Sequence, residues 1–264
     1  MNPVEVVQGE GPVVLGLPHT GLHVPKDIRA RLNDRGRALA DTDWNIHKLY
    51  DGLLPGVTTV RATFHRYVID ANRDPSGASL YPGQNTTGLV PLTDFEGAAI
   101  WQVPPSGGEA EHRRERFHAP YHAALAAEMT RVRERHGVAV LYDCHSIRSR
   151  IPFLFEGVLP DFNIGTNTGM TCAPVLAEAI EDVCRAAHGY SWISNGRFKG
   201  GWTTRHYGRP AEGWHAIQME LAQSVYMEEA APWPYSHDRA GRLRPVLAKM
   251  LQRLDDLARK GDPR

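Results

Sequence analysis

Cysteine is scarce in this chain. Cys144, Cys172 and Cys184 are odd in number and none stands in CxxC spacing. This argues against a disulfide framework or a cysteine-built zinc centre and predicts free thiols in a reducing compartment. Long apolar runs are also missing, since none approaches the ~20 residues that cross a bilayer. The opening Met1-Asn2-Pro3-Val4-Glu5 has neither the basic segment nor the apolar core of a secretory signal, so a cytoplasmic location is expected. Charge of one sign is not in excess. Lys plus Arg equals Asp plus Glu at 30 each, so no global field recruits nucleic acid or a membrane surface. Several catalytic signatures are absent too: there is no GxSxG elbow, no GxGxxG or GxxxxGK[ST] phosphate loop, and no HExxH. Where an HxxE motif starting at His19 would place its glutamate, the chain has Leu22. No internal repeat or low-complexity tract divides the chain.

What the chain does have is 13 histidines and four short apolar runs that each end in a polar residue suited to hydrolysis. Val13 to Pro18 delivers His19, and Val138 to Tyr142 delivers Asp143-Cys144-His145-Ser146. Tyr67-Val68-Ile69 delivers Asp70-Ala71-Asn72-Arg73, and Ala216 to Met219 delivers Glu220. Buried strands of α/β sheets read as short apolar runs, and such sheets bind ligands at the carboxyl ends of their strands. Strands are expected at 13–17, 57–62, 66–70, 138–143 and 215–221. Helices are expected around 26–33, within 41–53 with Asp41 or Thr42 at its N-cap, and over 109–136, 172–188 and 239–260. Residues 74–108 and 189–212 read as Gly-rich loops. This alternation predicts one three-layer α/β/α domain over 1–264, with a sheet that is parallel or mixed.

Asp-x-His at the end of a strand places an imidazole at the sheet edge with an acid to fix its tautomer. His19 repeats the pattern, while Gly21 and Pro25 argue against a helix that would add His23 as a second ligand. Any one of these histidines alone is more often structural. Two at strand ends of one sheet suggest a metal site, which in catalytic zinc centres takes three protein ligands and leaves one position open. Asp41-Thr42-Asp43-Trp44 offers two carboxylates for the third. Glu220 interrupts an apolar strand: buried, it suits a general base, and facing outward with Gln218, it is an ordinary surface residue. Arg66, Arg73, Arg148 and Arg205, with Asn72 and Thr204, stand on strand-end loops and suggest a small anionic substrate rather than nucleic acid. Cys144 beside His145 is not a catalytic pair, because neighbouring strand residues face opposite sides.

The ordered set of these segments resembles the N-formylglutamate amidohydrolase (N-formylglutamate deformylase) family, a relative of the zinc carboxypeptidases and of succinylglutamate desuccinylase and aspartoacylase. The resemblance runs from Val13 to about Met227. It rests on Leu17-Pro18-His19-Thr20-Gly21, Asp41-Thr42-Asp43-Trp44, Arg66 to Pro75, Asp143-Cys144-His145-Ser146, Pro160 to Gly165, Gly200 to Gly208 and Gln218-Met219-Glu220. It implies a phosphorylase/hydrolase-like α/β fold with a mixed sheet and a divalent metal, taken as zinc. It also implies hydrolysis of N-formyl-L-glutamate to formate and L-glutamate at the end of histidine degradation. By the same resemblance, His19 and His145 are metal ligands, Glu220 is the general base for the attacking water, and Asn72 and Arg73 hold a substrate carboxylate. Arg66 or Arg205 supports the oxyanion, and Arg205 or Arg148 holds the second carboxylate. The family's HxxE acid is missing, so Asp43 is taken as the third ligand with Asp41 in reserve. The competing expectations are a metal-dependent deacylase or carboxypeptidase for another N-acyl acidic amino acid, and a non-catalytic protein that binds an acidic metabolite.

Overall fold

The computed structural model describes residues 1–80, 83–261 and 263. Seven strands form one mixed sheet: β1 (Val4–Val7), β2 (Val13–Leu17), β3 (Thr58–Ala62), β4 (Ala139–Ile147), β5 (Phe162–Gly165), β6 (Trp192–Ser194) and β7 (Trp214–Ala222). Their spatial order is β1-β3-β2-β4-β7-β5-β6. The central strands β3, β2, β4 and β7 are parallel, whereas β1 runs antiparallel to β3 and β5 antiparallel to β7. β2 and the first half of β4 read as apolar runs because both of their faces are covered.

The period-two alternation of side chains builds two cores. Val13, Leu15, Val140, Tyr142, Ile217 and Met219 face one side. There they pack under α3 (Ile46–Tyr50), α6 (Pro174–Ala186) and α8 (His237–Ala258). Val14, Leu141 and Ala216 face the other side, where Tyr121, Leu125, Met129 and Val132 of α5 (Ala119–His136) cover them. The result is three layers, α/β/α.

Several expected elements differ in extent. The short helices near the start are α1 (Lys26–Arg31) and α2 (Asp34–Ala38). Asp41 and Thr42 do not cap α3, whose N-cap is Asn45 in the left-handed conformation (φ 61°). No strand forms at 66–70. Tyr67, Val68 and Ile69 are fully buried but lie in a turn, with Val68 N–H donating to His65 O at 2.9 Å. A short apolar run reports burial and not conformation, which explains the misreading. The long helix over 109–136 is α4 (Glu109–Arg113), a π-turn at Arg114–His118, and α5. The stretch 189–212, expected as loop, contains β6 and α7 (Trp202–Tyr207). Strand β4 runs four residues beyond the expected end at 143, and the site depends on that extension.

Candidate metal and active site

Because β4 continues to Ile147, Asp143 and His145 lie two apart on one face. Their partners in β7 are in register, Asp143 with Gln218 and His145 with Glu220. All four polar side chains therefore share the α5 side of the sheet, past the end of the apolar core, and none is more than 6% exposed. The alternation in β7 that allowed an outward-facing Glu220 is real, but the face is buried. His19 follows β2 on a loop that comes so close to β3's continuation that a Cβ on Gly21 would lie 2.3 Å from Thr63 C. Asp43 precedes α3 and is tied to this loop, its N–H donating to His19 O at 3.1 Å.

His19, Asp43 and His145 each offer a ligand atom, and these atoms lie within 4.8 Å of one another. His145 Nδ1 is 3.1 Å and His19 Nδ1 3.6 Å from Asp43 Oδ2. The opposite nitrogens meet acids: His19 Nε2 is 2.7 Å from Asp70 Oδ1, and His145 Nε2 is 3.1 Å from Asp143 Oδ1. A carboxylate that accepts the N–H of one ring nitrogen turns the lone pair of the other toward the shared point, as in metal sites. His19 Nδ1 is buried and has no hydrogen-bond partner among the described residues. Two imidazoles, one of them with its nitrogen unsatisfied, and a carboxylate are a three-ligand donor set suited to a borderline divalent cation such as zinc. Burial opposes charge on Asp43, yet His19 and His145 hold its carboxyl well below the usual range. Burial likewise disfavours the His145 imidazolium, but Asp143 and Asp43 hold its pKa well above the usual value.

Glu220 lines the same cavity. Burial pushes its carboxyl up to about 8, while the charge of His145 opposes the shift. Gln218 orients it, with Nε2 donating to Glu220 Oε2 at 3.0 Å and Oε1 accepting from Gly201 N–H at 2.7 Å. Arg66 stacks over the Phe95 ring at 4.7 Å. It pairs with Asp70 at 2.7 Å and stands 3.7 Å from Asp43. The cavity encloses about 280 Å³ and includes Arg73, Arg197 and Lys199 in its wall.

The other sequence-predicted residues are placed differently. Asn72 borders the cavity, but its Oδ1 accepts from Thr203 N–H at 2.9 Å and its Nδ2 lies 3.2 Å from His145 Nε2. It thus braces a histidine. Thr204 donates to Asp143 Oδ2 at 2.9 Å, behind the site. Arg205 donates to Gly200 O at 2.9 Å, and Arg148 pairs with Glu96 at 2.6 Å. Neither arginine nor Thr204 is among the described residues that line the cavity. Asp41, the reserve ligand, accepts from Tyr67 O–H at 2.7 Å and Phe95 N–H at 2.9 Å, away from the imidazoles. His23 is exposed and outside the cluster. Sequence reasoning assigned no role to Asp70, Gln218, Arg197 or Lys199. The alternation with Glu220 along β7 marked Gln218, whereas the two cations lie in the Gly- and Arg-rich stretch 189–212, whose composition singles out no residue.

The chain is similar to known proteins in both sequence and fold. Residues 11–227 match the family described as N-formylglutamate amidohydrolase. The chain is 49% identical over 250 residues to an N-formylglutamate deformylase of Pseudomonas putida, covering 94% of this chain and 93% of the relative. It is 45% identical to the Pseudomonas aeruginosa protein of the same name, covering 94% of each. A crystal structure of N-formylglutamate amidohydrolase from Ralstonia eutropha JMP134 superposes with a TM-score of 0.82 at 28% identity, covering 99% of this chain and 100% of that one. A gene product of Agrobacterium tumefaciens shares the fold at a TM-score of 0.74 and 17% identity, covering 97% and 96%. With its sheet, its buried polar floor and this coverage, the chain belongs to the N-formylglutamate amidohydrolase family of hydrolases.

Proposed function

We propose that this protein hydrolyses N-formyl-L-glutamate to formate and L-glutamate, with a divalent cation, most simply zinc, held by His19, Asp43 and His145. The observation that carries the proposal is the convergence of those three ligand atoms within 4.8 Å on the floor of a cavity that Glu220 also lines. Such a cation, when bound, polarises the formyl carbonyl and acidifies water.

The chain's own residues do the rest. Glu220 accepts a proton from the attacking water as the new C–O bond forms. It delivers that proton to the amide nitrogen as the C–N bond breaks, so that formate and the free amine leave. Its depressed acidity makes it a stronger base than a solvated carboxylate, and Gln218 fixes one of its oxygens. Arg66, buried and paired with Asp70, places a fixed positive charge near the ligand carboxylate, where oxyanion charge develops. Arg73 stands 3.8 Å from the same Asp70, so it lies at the reacting end and is assigned to the α-carboxylate. A cavity of about 280 Å³ lies at the small end of ligand sites and suits one small amino-acid derivative.

The test is formate release from N-formylglutamate, compared with hydrolysis of N-acetyl- and N-succinylglutamate and N-formylaspartate. Preferential turnover of the formyl-glutamate supports the proposal; preference for a larger acyl group sinks the substrate assignment. Glu220→Gln is expected to retain metal and lose turnover by about 10²-fold or more. Arg73→Ala is expected to raise KM by about tenfold or more.

A further inference from the structure

We propose that Arg197 and Lys199 form the subsite for the distal carboxylate of the substrate and so determine the preference for an acidic side chain. This rests on the function proposed above and concerns the opposite end of the ligand from the metal.

Arg197 is half-buried in the cavity wall and held by backbone carbonyls. Its Nε donates to Leu154 O at 3.0 Å and one Nη to Asn85 O at 3.1 Å, with Phe198 under the guanidinium at 5.6 Å. These contacts fix the orientation of the group without neutralising its charge. Lys199 is exposed and also lines the cavity. Among the described residues, neither cation has a carboxylate within 4.0 Å, although the chain forms many arginine–carboxylate pairs elsewhere. An anchored guanidinium and a lysine two residues on, both lining a small cavity and neither with a carboxylate partner among the described residues, call for an anionic ligand group.

The placement says which group. Arg66 and Arg73 share Asp70 with His19 and so belong to the reacting end. None of Arg197's contacts involves the histidine–aspartate cluster, and its anchors come from the loops around Asn85 and Leu154. An N-acyl glutamate bound with its amide at the cluster keeps its α-carboxylate beside that amide and extends its side chain away. The side-chain carboxylate is then the group that reaches Arg197 and Lys199.

N-Formylglutamine is the comparison substrate, because only the distal carboxylate is changed to an amide. We expect wild-type enzyme to favour the acid in kcat/KM. We expect Lys199→Glu to lower that acid-over-amide ratio by about tenfold or more, mainly through KM, and Arg197→Ala to lower it similarly. Lys199 is exposed, so its variant tests the idea even if Arg197→Ala loses its loop anchors and misfolds. Loss on both substrates in equal proportion, or an unchanged ratio, would overturn the proposal. Should wild type release no formate from N-formylglutamate, the reaction assignment fails instead. Calorimetric binding of glutarate then decides the subsite: weaker binding to Lys199→Glu supports it, and equal binding removes it.

Discussion

At the residue scale, burial gives the same side-chain types opposite roles. His65 is fully buried like His145, but among the described residues no acid pairs with its ring. Its Nδ1 accepts Tyr67 N–H at 3.1 Å and its Nε2 faces Thr42 Oγ1 at 3.0 Å. Burial and the nearby Arg66 hold its pKa well below the usual value, so it is a neutral structural histidine. His145 meets two carboxylates, Asp43 and Asp143, and is one of the ligands proposed for the cation. Metal binding must displace protons from such ligands, so affinity is expected to weaken as pH is lowered. Glu220, raised to about 8 by burial, must ionise to act as base. The kcat/KM profile should therefore rise with pH to a limb at or below about 8, since a neighbouring cation favours the carboxylate. A pH-independent profile from pH 5 to 9 would remove Glu220 from that role.

Asp41 allows a stability test apart from chemistry. Burial pushes its carboxyl up to about 6, against the donors Tyr67 and Phe95. A raised folded-state pKa contributes stability that is fully present below the ordinary value near 3.8 and lost as pH rises through about 6. Asp41→Asn should therefore gain on wild type between pH 4 and pH 7, by about 3 kcal/mol at most. Denaturant unfolding at the two pH values reads this directly; a constant difference would contradict it.

At the element scale, the site depends on strand β4 running past the point where its sequence turns polar. Periodicity located the apolar half, 138–143, and its terminal polar cluster looked like a strand end. In fact Asp143 and His145 remain paired to Gln218 and Glu220, because two parallel neighbours and a buried face satisfy them. His19, His145 and Glu220 were legible because each follows or interrupts an apolar run. Arg148, Thr204 and Arg205 were misplaced because an arginine or threonine in a loop carries no directional signal. Strands β5 and β6, of four and three residues, are too short for a period to show. The loop after β2 makes the strongest local demand. Gly21→Ala would drive a Cβ to 2.3 Å from Thr63 C and 2.4 Å from Phe64 O. We expect this to destabilise the fold by about 1–3 kcal/mol and to weaken metal binding by moving His19. An alanine variant with wild-type melting temperature and metal content would show that the loop can yield.

At the scale of the whole molecule, a chain of zero formal net charge concentrates cations in one cavity. Arg66, Arg73, Arg197 and Lys199 line it together with Asp43 and Glu220, so the local field differs from the global balance. Four parallel central strands bring His19, His145 and Glu220 to one end of the sheet from positions about 200 residues apart, and α/β sheets bind ligands at that end. The three layers and a mixed sheet were legible, but which strands form its antiparallel pairs was not. Among the described residues no helix is long and apolar enough to cross a membrane.

The most direct test measures metal content and formate release together in wild type, His19→Ala and His145→Ala. The account predicts about one equivalent of divalent metal in wild type, its loss from both variants, and formate release that stops on chelation and returns when metal is restored. Undiminished formate release from metal-free protein, or wild-type metal content in both variants, would contradict it.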